Sequence, residues 1–119
     1  ESINYMKDRI DTVILNITKL LNFFRSNGLM IIFTKIGHQY KDFTDSPTIH
    51  KKRFNELYNA KGQTFYMMPG FDKYEILKEI EPLENEIVLK KTTSNTFTGT
   101  PLDLILRNNN INKLIILII

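Results

Sequence analysis

Apolar side chains recur at steps of three and four between residues 8 and 27, at Ile10, Val13, Ile14, Ile17, Leu20, Leu21 and Phe24. That is the period of one helical face, so the pattern predicts an amphipathic helix. Asn27-Gly28 marks its end, because glycine accepts the left-handed conformation that closes a helix. The pattern then changes. "LMIIFT" at 29–34 is short and apolar throughout, and reads as a strand buried on both faces. "NEIVLK" at 85–90 and "KLIILII" at 113–119 repeat that signature.

From Lys35 to Gly70 the periodicity weakens. "GHQYKDFTDSPT" is rich in turn formers. "IHKKRFNELYNA" at 49–60 can form a helix with Phe54, Leu57 and Tyr58 on one face, whereas "KGQTFYMMPG" supports no assignment. "FDKYEILKEI" at 71–80 predicts a short helix capped by Asp72 and ended before Pro82. Thr100-Pro101-Leu102-Asp103 is a helix start. Thr can cap, Pro tolerates the first helical position, and Asp three residues after the cap can reach back to it. Leu102, Ile105 and Leu106 should face inward, and Asn108-Asn109-Asn110 should end the helix, since Asn tolerates the left-handed conformation.

The order is therefore helix, strand, irregular excursion, short helix, strand, helix, strand. Fully apolar strands separated by helices imply an α/β fold. The expected form is a three-layer, doubly wound sheet with mainly parallel strands and helices on both faces.

Composition narrows this picture in a few places. At 119 residues, 42% hydrophobic and 24% charged, the chain has the make-up of one globular domain with a modest core. It has no cysteine, which excludes a disulfide scaffold and a thiolate zinc site within these residues and fits a reducing, cytoplasmic compartment. The net charge of +3 is small, and the one basic cluster is His50-Lys51-Lys52-Arg53. A solvated face at a helix start is preferred over a phosphate patch there. Aromatic and basic residues are not interleaved, so no nucleic-acid partner is expected. "ESINYMKDRID" is charged where an export signal would be apolar. "LIILII" at 114–119 falls far short of the about 20 residues needed to span a bilayer, so no membrane association is expected. Six terminal aliphatics nonetheless require cover.

The chemistry concentrates at 89–103, "LKKTTSNTFTGTPLD". Open parallel sheets bind ligands beyond the carboxyl ends of their strands, and Lys90 and Lys91 fall at such an end. Side chains alternate along a strand, so one lysine should face the cleft and the other away. An ammonium there could stabilise an anion or lower the pKa of a nucleophile. The polar loop 92–99 and the free amides near Thr100 would line the same rim. On spacing alone, the plainer reading in which both lysines simply leave the sheet for water is preferred.

The same stretch resembles the isochorismatase-like cysteine hydrolases, which include nicotinamidases and other amidases. Their pattern is an apolar strand, Lys, three residues, Ser-Ala-Phe, one residue, Gly-Thr, one residue, Leu-Asp, then a helix ending Leu-Arg. Here it is met by Val88-Leu89, Lys91, Phe97, Gly99-Thr100, Leu102-Asp103 and Leu106-Arg107, with Asn95 and Thr96 replacing Ser and Ala. Upstream, "LLNFFRSNGLMIIFTKIGH" is similar to the family's first helix and second strand, with Arg25, Gly28, Thr34 and His38 in place. The resemblance covers about residues 10–119.

It implies hydrolysis of a C–N or related bond in a small molecule by a Cys nucleophile. An Asp would deprotonate the thiol and a Lys would favour the thiolate. The resemblance places the catalytic lysine at Lys91 and substrate contacts at Asn95, Phe97 and His38. It implies no cofactor, and members often form dimers or larger assemblies, so a homo-oligomer is expected. Nicotinamidases carry an Asp-x-His metal pair. Ile36 occupies the Asp position here and no His follows His38 within ten residues, so no metal site is expected and His38 becomes a rim or hydrogen-bonding residue.

Two elements of the family pattern have no counterpart. The Asp belongs to a strand before the first helix, and Asp8 and Asp11 lie on that helix instead. The Cys belongs to a turn after the strand equivalent to "LIILII". The expectation is a single domain over 1–119 lacking the family's first strand and its Cys-bearing C-terminal part. Because that first strand lies centrally in the family's sheet, two apolar strands would face a gap, which points to a fragment. The alternative is a non-catalytic small-molecule-binding or assembly subunit of the same fold.

Overall fold

The structure, a computed structural model, describes residues 2–38, 40, 44–46, 48–49, 51–52, 56 and 76–117. The first helix, α1, runs Ser2–Ser26 and so starts earlier than its apolar stripe. A local pair supports the extra length: the Arg9 guanidinium lies 5.6 Å from the Tyr5 ring centroid and its Nη1 donates to the Tyr5 hydroxyl at 3.4 Å. The expected stripe is present but covered unevenly. Ile17 and Leu21 are buried and Ile14, Leu20 and Phe24 half-buried, while Ile10 and Val13 are exposed.

The helix closes as the sequence predicts. Gly28 has φ +63°, its N–H donates to Arg25 O at 3.2 Å, and Leu29 N–H donates to Phe24 O at 2.9 Å. These two bonds form the Schellman motif, which satisfies carbonyls that the helix end would otherwise leave orphaned.

Among the described residues two strands follow, β1 at Ile32–Ile36 and β2 at Ile87–Lys91, paired in a two-stranded sheet. The expected strands at 29–34 and 85–90 are thus correct in kind and displaced toward the C-terminus. Gly37, just past the end of β1, donates its N–H to Lys91 O, the last residue of β2, at 2.9 Å. Pairing end to end in this sense makes the strands parallel.

The chain divides into two compact units, Glu1–Phe33 with Glu75–Val88, and Thr34–Tyr74 with Leu89–Ile119. In the first, Ile17, Leu21 and Ile80 form the core, with Ile14, Ile31, Phe33 and Ile76 packed against it. Ile80 reaches this core from a single 3₁₀ turn, Lys78–Ile80. An α-helix over 71–80 was expected; 71–75 lie outside the described residues, and 76–77 precede the turn without helical structure. Glu81 is extended at φ −59°, ψ 144°, as a residue before proline must be, and that stops any helix at Ile80.

The first unit also holds an ion pair. Arg25 Nε lies 2.7 Å from Glu86 Oε1 and its Nη2 lies 2.8 Å from Oε2, a two-pronged contact. Arg25 Nη2 further donates to Glu81 O at 3.0 Å, and Glu86 Oε2 accepts the Leu83 N–H at 2.9 Å. The end of α1 is thereby fastened to the turn that launches β2. Hydrogen bonding to Arg25 lowers the Glu86 pKa below the usual carboxylate value, and the Arg25 pKa is raised in return.

In the second unit, Leu89 of β2 and Leu106 are buried. Leu106 lies on α2, Leu102–Asn108. Asn110 closes this helix at φ 55°, with Asn110 N–H donating to Arg107 O at 3.1 Å and Ile111 N–H to Leu106 O at 2.9 Å. Helices α1 and α2 therefore end in the same motif, one through Gly28 and the other through Asn110.

The expected third strand at 113–119 does not form over its described part. Residues 113–117 have no regular structure, and Leu114, Ile115, Ile116 and Leu117 are 49–72% exposed. Apolar composition supplies the propensity, but a strand also needs a neighbour to accept its backbone hydrogen bonds, and none pairs with it among the described residues. Of the helix expected at 49–60, residues 49, 51, 52 and 56 are helical and the others lie outside the described residues.

Candidate functional site

The carboxyl end of β2 and the loop behind it carry the candidate residues. Burial alternates along β2: Leu89 is buried and Lys91 half-buried, whereas Val88 and Lys90 are exposed. The two lysines thus leave the strand on opposite sides, as the pleat requires, and Lys91 shares the face of the buried Leu89. Lys91 Nζ donates to Ser94 O at 3.3 Å, within its own turn. Lys90 Nζ donates to His38 O at 3.0 Å.

The polar loop is shaped by its own side chains. Asn95 Oδ1 accepts the Phe97 N–H at 3.0 Å, an Asx turn, and Asn95 O accepts both the Thr93 hydroxyl at 2.9 Å and the Thr98 N–H at 3.1 Å. Asn95 therefore spends its carbonyl groups on loop geometry. Phe97 stands 47% exposed beyond it. Gly99 takes φ +73°, the left-handed region that this position in the turn requires.

The helix start falls one residue later than expected: Pro101 takes the N-cap position and Leu102 the first helical one, while Thr100 Oγ1, just outside the helix, accepts the Leu102 N–H at 3.3 Å and donates to Thr96 O. The expected capping box is not made. Asp103 turns instead to Arg107, one helical turn on, with Oδ2 2.8 Å from Nε.

His38, expected at a rim or in a hydrogen bond, is buried at 3% exposure, with Nδ1 3.3 Å from Asp45 Oδ1. The sequence offered no partner for His38. Asp45 stands seven residues on across an aperiodic, turn-rich stretch, and no spacing rule singles it out. Ser46 beside it is also buried, and its Oγ has no hydrogen-bond partner among the described residues. Lys91, Asn95, Phe97 and His38 all belong to the second unit. Among the described residues no three His, Cys, Asp or Glu side chains gather as a metal site, and no helix is long and apolar enough to cross a membrane.

In sequence and fold the chain is similar to known proteins. The family model described as the isochorismatase domain matches residues 3–117. The ureidoacrylate amidohydrolase RutB of Klebsiella pneumoniae (strain 342) is 33% identical over 111 residues, covering 87% of this chain and 46% of that protein. An isochorismatase family protein from Desulfovibrio vulgaris superposes with a TM-score of 0.65 at 28% identity, over 82% of this chain and 47% of the other. The N-carbamoylsarcosine amidase of Thermoplasma acidophilum does so with a TM-score of 0.56 at 31% identity, over 79% and 46%. The chain spans about half the length of these relatives. A parallel β1–β2 pair, a lysine at the strand end, a Gly-Thr pair before the helix and a family match over nearly every residue lead to one conclusion: the chain belongs to the isochorismatase family.

Proposed function

We propose that these residues form the lysine-bearing half of a hydrolase that cleaves a C–N bond in a small molecule through a covalent cysteine intermediate. The thiol and its Asp base would come from sequence outside these 119 residues. The observation that carries the reading is Lys91. Its ammonium group stands at the carboxyl end of a parallel strand, on the face of buried Leu89 and behind a self-bonded polar loop. There it would favour the thiolate over the thiol and then stabilise the negative charge that develops on the attacked carbonyl oxygen. Asn95 and Phe97 would meet the substrate from the loop, and His38 would support it from below.

The relatives' names favour ureido and carbamoyl amides as the substrate class. A homo-oligomer without metal or cofactor belongs to the same reading. The absence of cysteine from these residues favours a second reading, a non-catalytic binding subunit of the same fold.

The test is ammonia release from small ureido and carbamoyl amides by the full-length gene product. Lys91→Met should lower kcat/KM by about 10²–10³-fold. Full activity in Lys91→Met rejects the role given to Lys91. A full-length product without cysteine, and without turnover of any such amide, decides for the binding subunit.

A further inference from the structure

We infer that Lys90, the lysine on the opposite side of β2 from Lys91, is a positioning residue that latches the Gly37–His38 segment to the strand end. The inference rests on the role proposed for Lys91. Three contacts meet at this point. Gly37 N–H donates to Lys91 O at 2.9 Å, which fixes the backbone of Lys91 itself. Lys90 Nζ donates to the His38 carbonyl at 3.0 Å. Between these two bonds the aliphatic stem of Lys90 lies across the buried Gly37, so closely that a Cβ on residue 37 would stand 3.2 Å from Lys90 Cε.

The segment after β1 is thus held at consecutive residues, once through backbone and once through a side chain. A charge-assisted bond to a carbonyl is among the stronger single hydrogen bonds a protein makes. Gly37 has ordinary φ, so its lack of a side chain serves to admit the lysine stem and not a special turn. The carbonyl that Lys90 grips belongs to the residue whose ring faces Asp45, 3.3 Å away. By holding that peptide, Lys90 sets both the height of the His38 ring and the backbone of Lys91. It has no role as a substrate cation.

Two variants of the full-length protein separate this latch from a cation that meets substrate. Lys90→Met keeps the stem and removes the ammonium; Lys90→Arg keeps a cationic donor. Amide hydrogen exchange at Gly37 reads the latch without reference to activity. In Lys90→Met it should quicken about tenfold, the loss of one charge-assisted hydrogen bond. kcat should fall while KM stays within about twofold, since substrate loses no contact. Lys90→Arg should restore both measures.

Unchanged Gly37 exchange in Lys90→Met overturns the latch, whatever happens to turnover. A rise in KM with kcat unchanged overturns it too, by making Lys90 a substrate contact. Full turnover in Lys91→Met, with Gly37 exchange quickened in Lys90→Met, defeats the catalytic reading and leaves the latch standing.

Discussion

Removing the Arg25 side chain should destabilise the protein by about 2 kcal/mol, a value set between two limits. Exposed ion pairs contribute about 0–1 kcal/mol. Breaking a buried pair by deleting one partner costs about 3–5 kcal/mol, because the other charge is left buried alone. The Glu86 side chain is 7% exposed and that of Arg25 24%, so the pair is dry on one side and wet on the other. Arg25→Ala would leave the Glu86 carboxylate with the Leu83 amide and would leave Glu81 O without its donor. Arg25→Lys should lose about half as much, since an ammonium cannot span both carboxylate oxygens.

The pH dependence follows from the direction of the Glu86 shift. Its folded pKa is lowered from an ordinary value of 4.5. The pair's contribution is therefore complete above that value and is lost as the pH falls through the lower folded pKa. Urea unfolding followed by far-ultraviolet circular dichroism suits a chain without tryptophan. The stability gap between wild type and Arg25→Ala should be widest near neutrality and should close below the carboxylate range. A gap under about 0.5 kcal/mol at pH 7, or one unchanged down to about pH 2, would refute the reasoning. So would a double-mutant cycle with Glu86→Gln that shows no coupling between the two sites.

The helix ends and the loop supply further tests. Gly28→Ala should cost about 1 kcal/mol in the same assay, wholly from backbone strain, because the added Cβ meets nothing within 4 Å. Asn110→Gly, at the equivalent position of α2, should raise stability by about 0.5 kcal/mol; a loss there would mean the Asn side chain holds something the backbone account omits. Thr100→Ala should cost about 1 kcal/mol through the lost hydrogen bond from the Leu102 N–H, with Thr100→Ser recovering most of it.

Local signals were legible in the residues, and long-range ones were not. The 3.6-residue period announced α1, and Gly28 and the Asn108–Asn110 run announced where the helices stop, because both are matters of neighbouring φ and ψ. Strand boundaries came out early by two or three residues in β1 and by one or two in β2. An apolar run marks where a strand could be, whereas pairing with a neighbour decides where it is. The 113–119 run shows the same limit in full. It has the strongest strand composition in the chain, yet its described residues form no strand. Lys91 could be singled out as a candidate because its spacing to Phe97 and Gly99-Thr100 is fixed by the local chain. The grip of Lys90 on His38 joins residues 52 apart, and the Arg25–Glu86 pair joins residues 61 apart. No periodicity reports such contacts. Asp45 was missed for a related reason, since an irregular turn gives no face on which to count.

The aliphatic run at Leu114–Leu117 has a practical consequence for anyone preparing this polypeptide by itself. A stretch of leucines and isoleucines without charge, proline or glycine, standing half to three-quarters uncovered, is the kind of segment that stacks into cross-β fibrils. The single gatekeeping charge beside it is Lys113. Made alone, the 119-residue chain should therefore precipitate as its concentration is raised, and Ile116→Lys should be enough to keep it in solution.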